Sequence, residues 1–429
     1  MKPRWRRAGA RAVISLALVF SLSQLSFGFS VLSHQALVDV TWDSSIKPLL
    51  LKRYPGATAE QLLQAHAYAY GGSIIQDMGY YPFSSKFFSD LSHYVRSGDF
   101  VEAMIADAQD LDEYAFALGA LSHYAADNNG HPIGTNHAVP LIYPELRARY
   151  GNEVTYEESP SAHLKTEFGF DVLQVARGNY APEAYHDFIG FKVAKPVLQR
   201  AFLKTYGLEI KDIFASFDLA LGTYRRSVSV IIPEITLVAW ETKKDEIEKR
   251  TPGVTRSKFI YSLTRAAYDK EWGVEYEKPG FFSKTFALVF RVMPKIGPFK
   301  ALAFKPPTPE AERLFLKSFD QTMEQYNLLI AEVRSGRLSL SNRNNDTGKI
   351  ARAGEYKLAD ESYEKLLEKL AKRDFEGLNP ELRQNILAYY HDLSAPITTK
   401  KDKDDWRKLL RALDRLKAAP ASGAPAARQ

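Results

Sequence analysis

Apolar side chains recur every three or four positions along most of the chain, and this spacing is typical of helices with one buried face. Thr58 followed by Gln61 has the pattern of a capping box, and Asp99 and Asp110 stand where helix N-caps belong. No convincing run of alternating strand positions occurs between residues 29 and 240. The sequence therefore predicts an all-α fold. The clearest helices predicted in this region are 59–78, 99–108, 110–128 and 161–176.

A change of pattern at about residue 240 predicts a second region. Pro279-Gly280 and Pro306-Pro307 break the chain there. The stretch between them, 281–304, is apolar with isolated cations. Such a stretch suits an interfacial helix or lipid-docking loop, but its prolines favour buried core for the C-terminal region. Further amphipathic helices are predicted at 310–334, 359–373, 379–390 and 404–417.

The first 28 residues have the three parts of a signal peptide. Basic side chains precede an apolar run at 12–22, and the small residues Ser26 and Gly28 follow it. This run is shorter than the roughly 20 residues of a bilayer span. We therefore expect export, to the periplasm or the medium. The predicted organisation is a leader at 1–28, a catalytic domain at 29–240, a helical extension at 241–417 and a disordered Ala/Pro-rich tail at 418–429.

The amino-acid composition limits the kinds of functional site that the chain can form. A hydrophobic content of 45% with 12% aromatic residues excludes a largely disordered chain. There is no cysteine, so thiolate ligands and cysteine nucleophiles are excluded, and a metal must be held by histidine, carboxylate and backbone groups. The formal charge of +6 falls to +1 without residues 1–28, because the leader carries five basic and no acidic side chains. The mature chain therefore has no net positive field that would favour a nucleic-acid partner.

Two histidine–carboxylate pairs at helical spacing are the clearest candidates for a functional site. His123 and Asp127 are four residues apart, and so are His163 and Glu167. Each pair lies on one face of its helix, about 5 to 6 Å apart, which suits two ligands of one ion. His131 follows Asp127 by four residues, and the proline after it predicts that the helix ends there. The sequence thus predicts a metal centre built on helices.

The order His-x-x-x-Asp, a following His, and then His-x-x-x-Glu resembles the zinc-dependent phospholipase C family. That family shares an all-helical scaffold for three zinc ions with the S1/P1 nucleases. The resemblance covers roughly residues 29–200. It implies an upstream carboxylate and histidine, for which Asp77 in Gly71-Gly72-Ser73-Ile74-Ile75-Gln76-Asp77 and His93 in Ser89-Asp90-Leu91-Ser92-His93 are the matching residues.

The resemblance also implies that the mature N-terminus is a ligand through its amine and first carbonyl, together with a nearby histidine. Cleavage after Gly28 would free Phe29, where the family has Trp, and would leave His34 as the sixth residue. Signal removal would then be a step in assembling the site. Two to three zinc ions are implied, in sets formed by Asp77, His93, His123 and Asp127; by His131, His163 and Glu167; and by Phe29, His34 and the shared Asp127.

The chemistry implied by the resemblance is hydrolysis of a phosphodiester. Zinc polarises phosphoryl oxygens and lowers the pKa of a bound water, so that hydroxide can attack. Asp77 and Asp127 are the carboxylates expected to take part in catalysis, and Asp90 and Asp171 are candidates to orient ligands. His131 and its following proline replace the Gln-Pro-x-His of the bacterial enzymes and nucleases, and this version looks like the branch related to glycosylphosphatidylinositol-specific phospholipases.

The expected substrate is a phospholipid or another phosphodiester, with peripheral membrane contact as one possibility. One alternative is an S1/P1-like single-strand nuclease, which is disfavoured because the Gln-Pro-x-His motif is missing. Another is a non-catalytic, zinc-stabilised envelope binding protein. Among the other histidines, His137 stays open as an alternate ligand. The polar run 342–348 begins like a calcium loop, but position twelve is Ala353, so a polar turn is favoured.

Overall fold

The computed structural model describes residues 31–177, 191–228 and 304–420. Within these ranges there is no strand, and every regular element is helical, which confirms the all-α prediction. The α-helices there are α1 Val31–Thr41, α2 Lys47–Arg53, α3 Ala59–Ser73, α4 Lys86–Tyr94, α5 Ser97–Asp107, α6 Leu111–Asn129, α7 Asn136–Ile142, α8 Pro144–Tyr150, α9 Pro160–Arg177, α10 Lys195–Tyr206, α11 Phe217–Arg226, α12 Pro309–Ser335, α13 Lys357–Lys372, α14 Pro380–Tyr389 and α15 Lys403–Ala418.

The predicted caps explain two helix starts and miss a third. Thr58 and Gln61 form the reciprocal capping box of α3, and the Asp110 side chain accepts a hydrogen bond from the Glu113 amide at the start of α6. Asp99 is not an N-cap, and that prediction is wrong. Helix α5 begins two residues earlier, after Arg96 turns the chain with a φ of +50°, and Asp99 pairs with the Arg96 guanidinium instead.

Helices α3 and α6 form the close-packed centre of the fold. A Cβ atom on Gly72 would lie 1.9 Å from the Phe116 carbonyl oxygen, and one on Gly119 would lie 2.0 Å from that of Ala69. Only glycine allows the two backbones to approach this closely. The approach brings the end of α3 beside the face of α6 that carries the predicted ligands.

Two short helical turns adjoin these helices. The helix predicted at 59–78 ends at Ser73, and a 3-10 turn at Ile75–Tyr80 follows the β-branched Ile74. Helix α6 ends at Asn129, close to the end that the proline after His131 predicts. The chain then continues as a π-helical turn at Gly130–Thr135. A π turn accommodates a residue without an amide hydrogen and commonly marks a functional site.

The C-terminal helices pack onto the first ones. Tyr326 of α12 donates a hydrogen bond of 2.9 Å to the Leu118 carbonyl of α6, and Gly134 lies against Ser318 of α12. Helix α13 packs against α4. The four predicted C-terminal helices are all present, and their apolar residues join one continuous core with those of α1–α11. The predicted division at residue 240 stays a prediction.

Several predictions concern residues outside the described ranges. These are the leader 1–28, the mature N-terminus Phe29, most of the apolar stretch 281–304, and residues 421–429. Phe304, the last residue of that stretch, is buried and packs edge-on against Phe168, as core would. Among the helices that the structure describes, none combines the length and apolarity that crossing a membrane requires.

Candidate metal centre

Four predicted ligands come together where α4, α6 and the 3-10 turn meet. The Nε2 atom of His93 lies 3.2 Å from Asp127 Oδ2 and 3.4 Å from Asp77 Oδ1. His123 Nε2 lies 3.1 Å from the same Asp127 oxygen and 3.2 Å from His93 Nε2. Ligands at tetrahedral corners around zinc, with bonds of about 2.0 to 2.1 Å, are roughly 3.3 Å apart. These distances have the spacing of one coordination shell.

Backbone carbonyls orient the two imidazoles. His93 Nδ1 donates to the Ser89 carbonyl one turn earlier on α4, at 2.7 Å. His123 Nδ1 donates to the Ser73 carbonyl at the end of α3, at 2.9 Å. A carbonyl only accepts hydrogen bonds, so Nδ1 of each ring carries a proton and Nε2 is the atom left to bind a metal. The close approach of α3 and α6 thus fixes the tautomer of His123.

The second predicted set also comes together. Glu167 Oε1 lies 3.7 Å from His163 Nδ1 and 3.8 Å from His131 Nδ1. His163 Nε2 donates to the Val154 carbonyl at 2.5 Å, which leaves Nδ1 as the ligand atom. The other nitrogen of His131 faces Asp127 Oδ1 at 3.7 Å. The π turn therefore places His131 between the two sets.

His34 on α1 belongs to the third set, in which Asp127 is shared and Phe29 lies outside the described residues. Its Nε2 lies 3.6 Å from Asp127 Oδ1, and its ring stacks on His123 with centroids 4.3 Å apart. Asp171 of α9 accepts hydrogen bonds from the Leu32 amide and the Ser33 hydroxyl, at 3.0 and 2.7 Å. Asp171 thus fixes the start of α1 and, through it, His34. That Asp171 orients a ligand stays a prediction.

The eight predicted ligands within the described residues are all buried, with His93 the most exposed at 5%. Neither oxygen of Asp127 or Glu167 has a hydrogen bond within the described part of the chain. A buried carboxylate is costly without a cation or donors. The residues present therefore fit a metal ion, and the ligand atoms fall into three buried groups that can each hold one: His34, His123 and Asp127; Asp77, His93 and His123; and His131, His163 and Glu167.

Burial and neighbouring charges shift the pKa values of the side chains at the centre, some upward and others downward. Burial lowers the pKa of His93, but the Asp127 and Asp77 carboxylates beside its Nε2 atom outweigh this effect and raise that pKa to about 10. Burial raises the pKa of Asp127, but His123 and His93 hold it well below its ordinary value. Burial also raises the pKa of Glu167 and, with the help of His123, lowers that of His34. The centre thus favours an ionised Asp127.

One residue at the centre was missed by the sequence analysis. Asp346 lies in the polar turn 342–348, is 3% exposed, and places Oδ1 3.2 Å from His131 Nδ1. The turn itself was predicted, and Asn344 forms it by accepting a hydrogen bond from the Asp346 amide. The only sequence feature that pointed to Asp346 was the polar run, because no fixed spacing links it to His131.

Two cavities flank this turn. The inner one, of about 10 Å³, has room for about one water and is lined by Asp77, Tyr80, His93, Tyr94, Asp127, His131, Tyr156 and Asp346. The outer one, of about 590 Å³, is lined by the turn and by residues up to Tyr356. Its cations are Arg343, Lys349 and Arg352, and its acid is Glu355.

Other residues considered from the sequence do not join the three groups. Asp90 forms an ion pair with Lys86 rather than orienting a ligand. His137 is half-buried and donates to the Asn152 carbonyl, and His391 is exposed and donates to the Ala388 carbonyl. His66 pairs with Asp39.

Residues 33–216 match a family model described as zinc dependent phospholipase C. The match confirms the resemblance found in the sequence, and it ends well before Asp346. It includes every predicted ligand except Phe29. No curated protein and no solved structure gives a significant match.

Proposed function

We propose, because residues 33–216 match the model of the zinc-dependent phospholipase C family, that the protein is an exported hydrolase of phospholipid phosphodiester bonds. The family establishes zinc as the cofactor and a phospholipase C-type hydrolase in general. The substrate, the ligand roles and export belong to the proposal. Export rests on the leader at 1–28, and the substrate rests on the family and on the surroundings of the centre.

The observation that carries the proposal is the position of Asp127. Its Oδ2 faces His93 and His123, and its Oδ1 faces His34 and His131. In the proposal Asp77, His93, His123 and Asp127 hold one zinc; His131, His163 and Glu167 hold a second; and Phe29, His34 and Asp127 hold a third.

The protein's own residues prepare this centre for phosphodiester chemistry. Bound zinc would supply Lewis acidity toward the phosphoryl oxygens and a water of lowered pKa as the nucleophile. The backbone carbonyls of Ser73, Ser89 and Val154 hold three imidazoles in fixed tautomers. The buried tyrosines around the inner cavity exclude bulk water, which strengthens the electrostatic interactions there.

The surroundings favour a phospholipid headgroup over a nucleic acid. Arg343, Lys349 and Arg352 give the outer cavity a positive lining beside the turn that covers the centre. Tyr80, Tyr94 and Tyr156 line the inner cavity but are at most 6% exposed. Base recognition in a single strand depends on exposed ring faces for stacking, and these tyrosines do not offer them.

Zinc content and turnover test the proposal together. Protein purified after export is analysed for zinc per chain by elemental mass spectrometry, and the same sample is assayed with bis-p-nitrophenyl phosphate and phosphatidylcholine. We expect two to three zinc ions per chain and release of phosphocholine. His123→Ala and Glu167→Ala should each lower bound zinc and reduce turnover by about 100-fold or more, since each removes a ligand.

His391→Ala is the matched control, because His391 is exposed and bonds only within its own helix end. It should keep the zinc and turnover of the wild type. Full zinc without turnover of either substrate would contradict the hydrolase and favour the zinc-stabilised binding protein. Wild-type zinc in both ligand variants would contradict the ligand assignment.

A further inference from the structure

We propose that Asp346 is a fourth protein ligand of the second zinc, supplied by the C-terminal region to the set formed by His131, His163 and Glu167. Asp346 lies outside the part of the chain that matches the family. The inference rests on the zinc centre of the proposed function but not on hydrolysis, so the two can fail separately.

The geometry of Asp346 Oδ1 carries the proposal. This oxygen lies 3.2 Å from His131 Nδ1, close to the roughly 3.3 Å between two corners of a tetrahedral zinc shell. The neighbouring separations in the set, 3.7 and 3.8 Å, are slightly wider. Within the described residues, Oδ1 has no hydrogen-bond partner although it is buried. A buried carboxylate oxygen in this position is satisfied by a cation.

The second carboxylate oxygen of Asp346, Oδ2, is fixed by two hydrogen bonds. Oδ2 accepts hydrogen bonds of 2.8 Å from the Tyr156 amide and from the Tyr356 hydroxyl. Carboxylates that bind zinc through one oxygen are commonly held by hydrogen bonds to the other. Oδ1 is therefore the oxygen that remains available for the metal.

The turn that carries Asp346 is fixed to elements of the centre. The Asn136 side chain donates to the Asp346 carbonyl at 2.9 Å, and the Asn345 amide donates to the His93 carbonyl at 3.0 Å. Gly348 closes the turn with a φ of +67°, a conformation that glycine adopts without strain. Asp346 is thus positioned by the start of α7 and, through Asn345, by helix α4, which carries His93.

Charge balance gives an independent reason for the fourth ligand. Within residues 33–216, Glu167 is the one carboxylate of this set. A divalent ion bound by Glu167 and two neutral imidazoles would keep a net charge of +1 in a buried place. Asp346 neutralises that charge. It also brings the second zinc to four protein ligands, the same number that Asp77, His93, His123 and Asp127 would supply to the first.

Asp346→Asn tests the proposal because an amide oxygen can still accept from Tyr156 and Tyr356, while its nitrogen cannot bind zinc. Zinc per chain and the rate of zinc release to a colorimetric chelator are measured on the full-length protein. We expect the variant to lose one zinc per chain on dialysis, or to release it about ten-fold faster or more. Tyr356→Phe is the control, since it removes one hydrogen bond to Oδ2 and leaves Oδ1 in place; its zinc content should equal that of the wild type.

Wild-type zinc content and release rate in folded Asp346→Asn would overturn the proposal and leave Asp346 as a packing residue. If the variant does not fold, a crystal structure of the zinc-loaded wild type decides. An Asp346 oxygen within about 2.0 to 2.2 Å of zinc supports the proposal, and one beyond bonding distance overturns it. A defect in zinc binding by Asp346→Asn in a protein without turnover would keep this inference and refute the hydrolase.

Discussion

At the scale of single residues, Asp127 connects the parts of the proposed centre. Its position four residues after His123 was visible in the sequence, because a helix places the two side chains on one face. The tautomers of His123, His93 and His163 were not visible, since each depends on a carbonyl brought close by folding. Asp346 could not be placed either, because a turn residue has no periodicity that relates it to a distant helix.

Asp127→Asn should disrupt more than one group. The amide nitrogen would replace an oxygen that faces either His93 and His123 or His34 and His131. We expect loss of at least one zinc per chain and a fall in turnover of about 100-fold or more. Elemental analysis and the phosphodiester assay measure both effects.

Asp43→Asn is the matched control, since the Asp43 side chain is 83% exposed and pairs only with Lys47. Its zinc content and turnover should be unchanged. Unaltered turnover in Asp127→Asn would exclude Asp127 from the centre.

At the scale of elements, the contact between α3 and α6 decides how well the ligands are held. The apolar spacing and the N-caps in the sequence predict both helices. Their close contact depends on Gly72 and Gly119, and the sequence alone does not show this role of the two glycines. The misplaced N-cap at Asp99 has a similar origin. The long-range hydrogen bond from the Asp99 amide to the Asn342 side chain, together with the local ion pair between Asp99 and Arg96, outweighs the capping preference of Asp99.

Gly72→Ala should destabilise the protein by about 3 kcal/mol or more, because the new methyl group would overlap the Phe116 carbonyl and push α3 away from α6. Urea unfolding with zinc present measures the free energy of unfolding. The same substitution should loosen zinc, because it moves the Ser73 carbonyl that orients His123.

Gly222→Ala in α11 is the control. Gly222 is exposed, and a Cβ atom there would have no neighbour within 4 Å in the described residues. We expect a gain of about 0.5 to 1 kcal/mol from helix propensity alone. Equal stabilities of Gly72→Ala and the wild type would show that α3 and α6 do not depend on this contact.

At the scale of the whole molecule, the C-terminal helices and the centre belong to one packed unit. The sequence predicted four helices after residue 308 but described them as an extension of unknown role. The fold instead brings their connecting turn over the centre, through contacts of α12 with α6 and of Asn345 with His93. Long-range packing of this kind leaves no local pattern in a sequence.

Removal of zinc should therefore destabilise the whole chain. Buried carboxylates of Asp127, Glu167 and Asp346 would lose their counter-charge, and each site at 100 times its dissociation constant contributes about 2.7 kcal/mol. We expect chelation to lower Tm by about 5 °C or more, and added zinc to restore it. Differential scanning fluorimetry with and without chelator measures the change. A Tm that does not respond to chelation or to zinc would contradict a zinc centre at this core.

The hydrogen bond between the Tyr156 amide and Asp346 joins positions 190 residues apart in the sequence. A ribosome adds about 5 to 20 residues each second, so Asp346 is made roughly 10 to 40 seconds after Tyr156. During that interval the newborn chain already contains His131 and Glu167 but lacks the segment that covers them. The turn that carries Asp346 can therefore cover the centre only after the whole intervening chain, including α12, has been made.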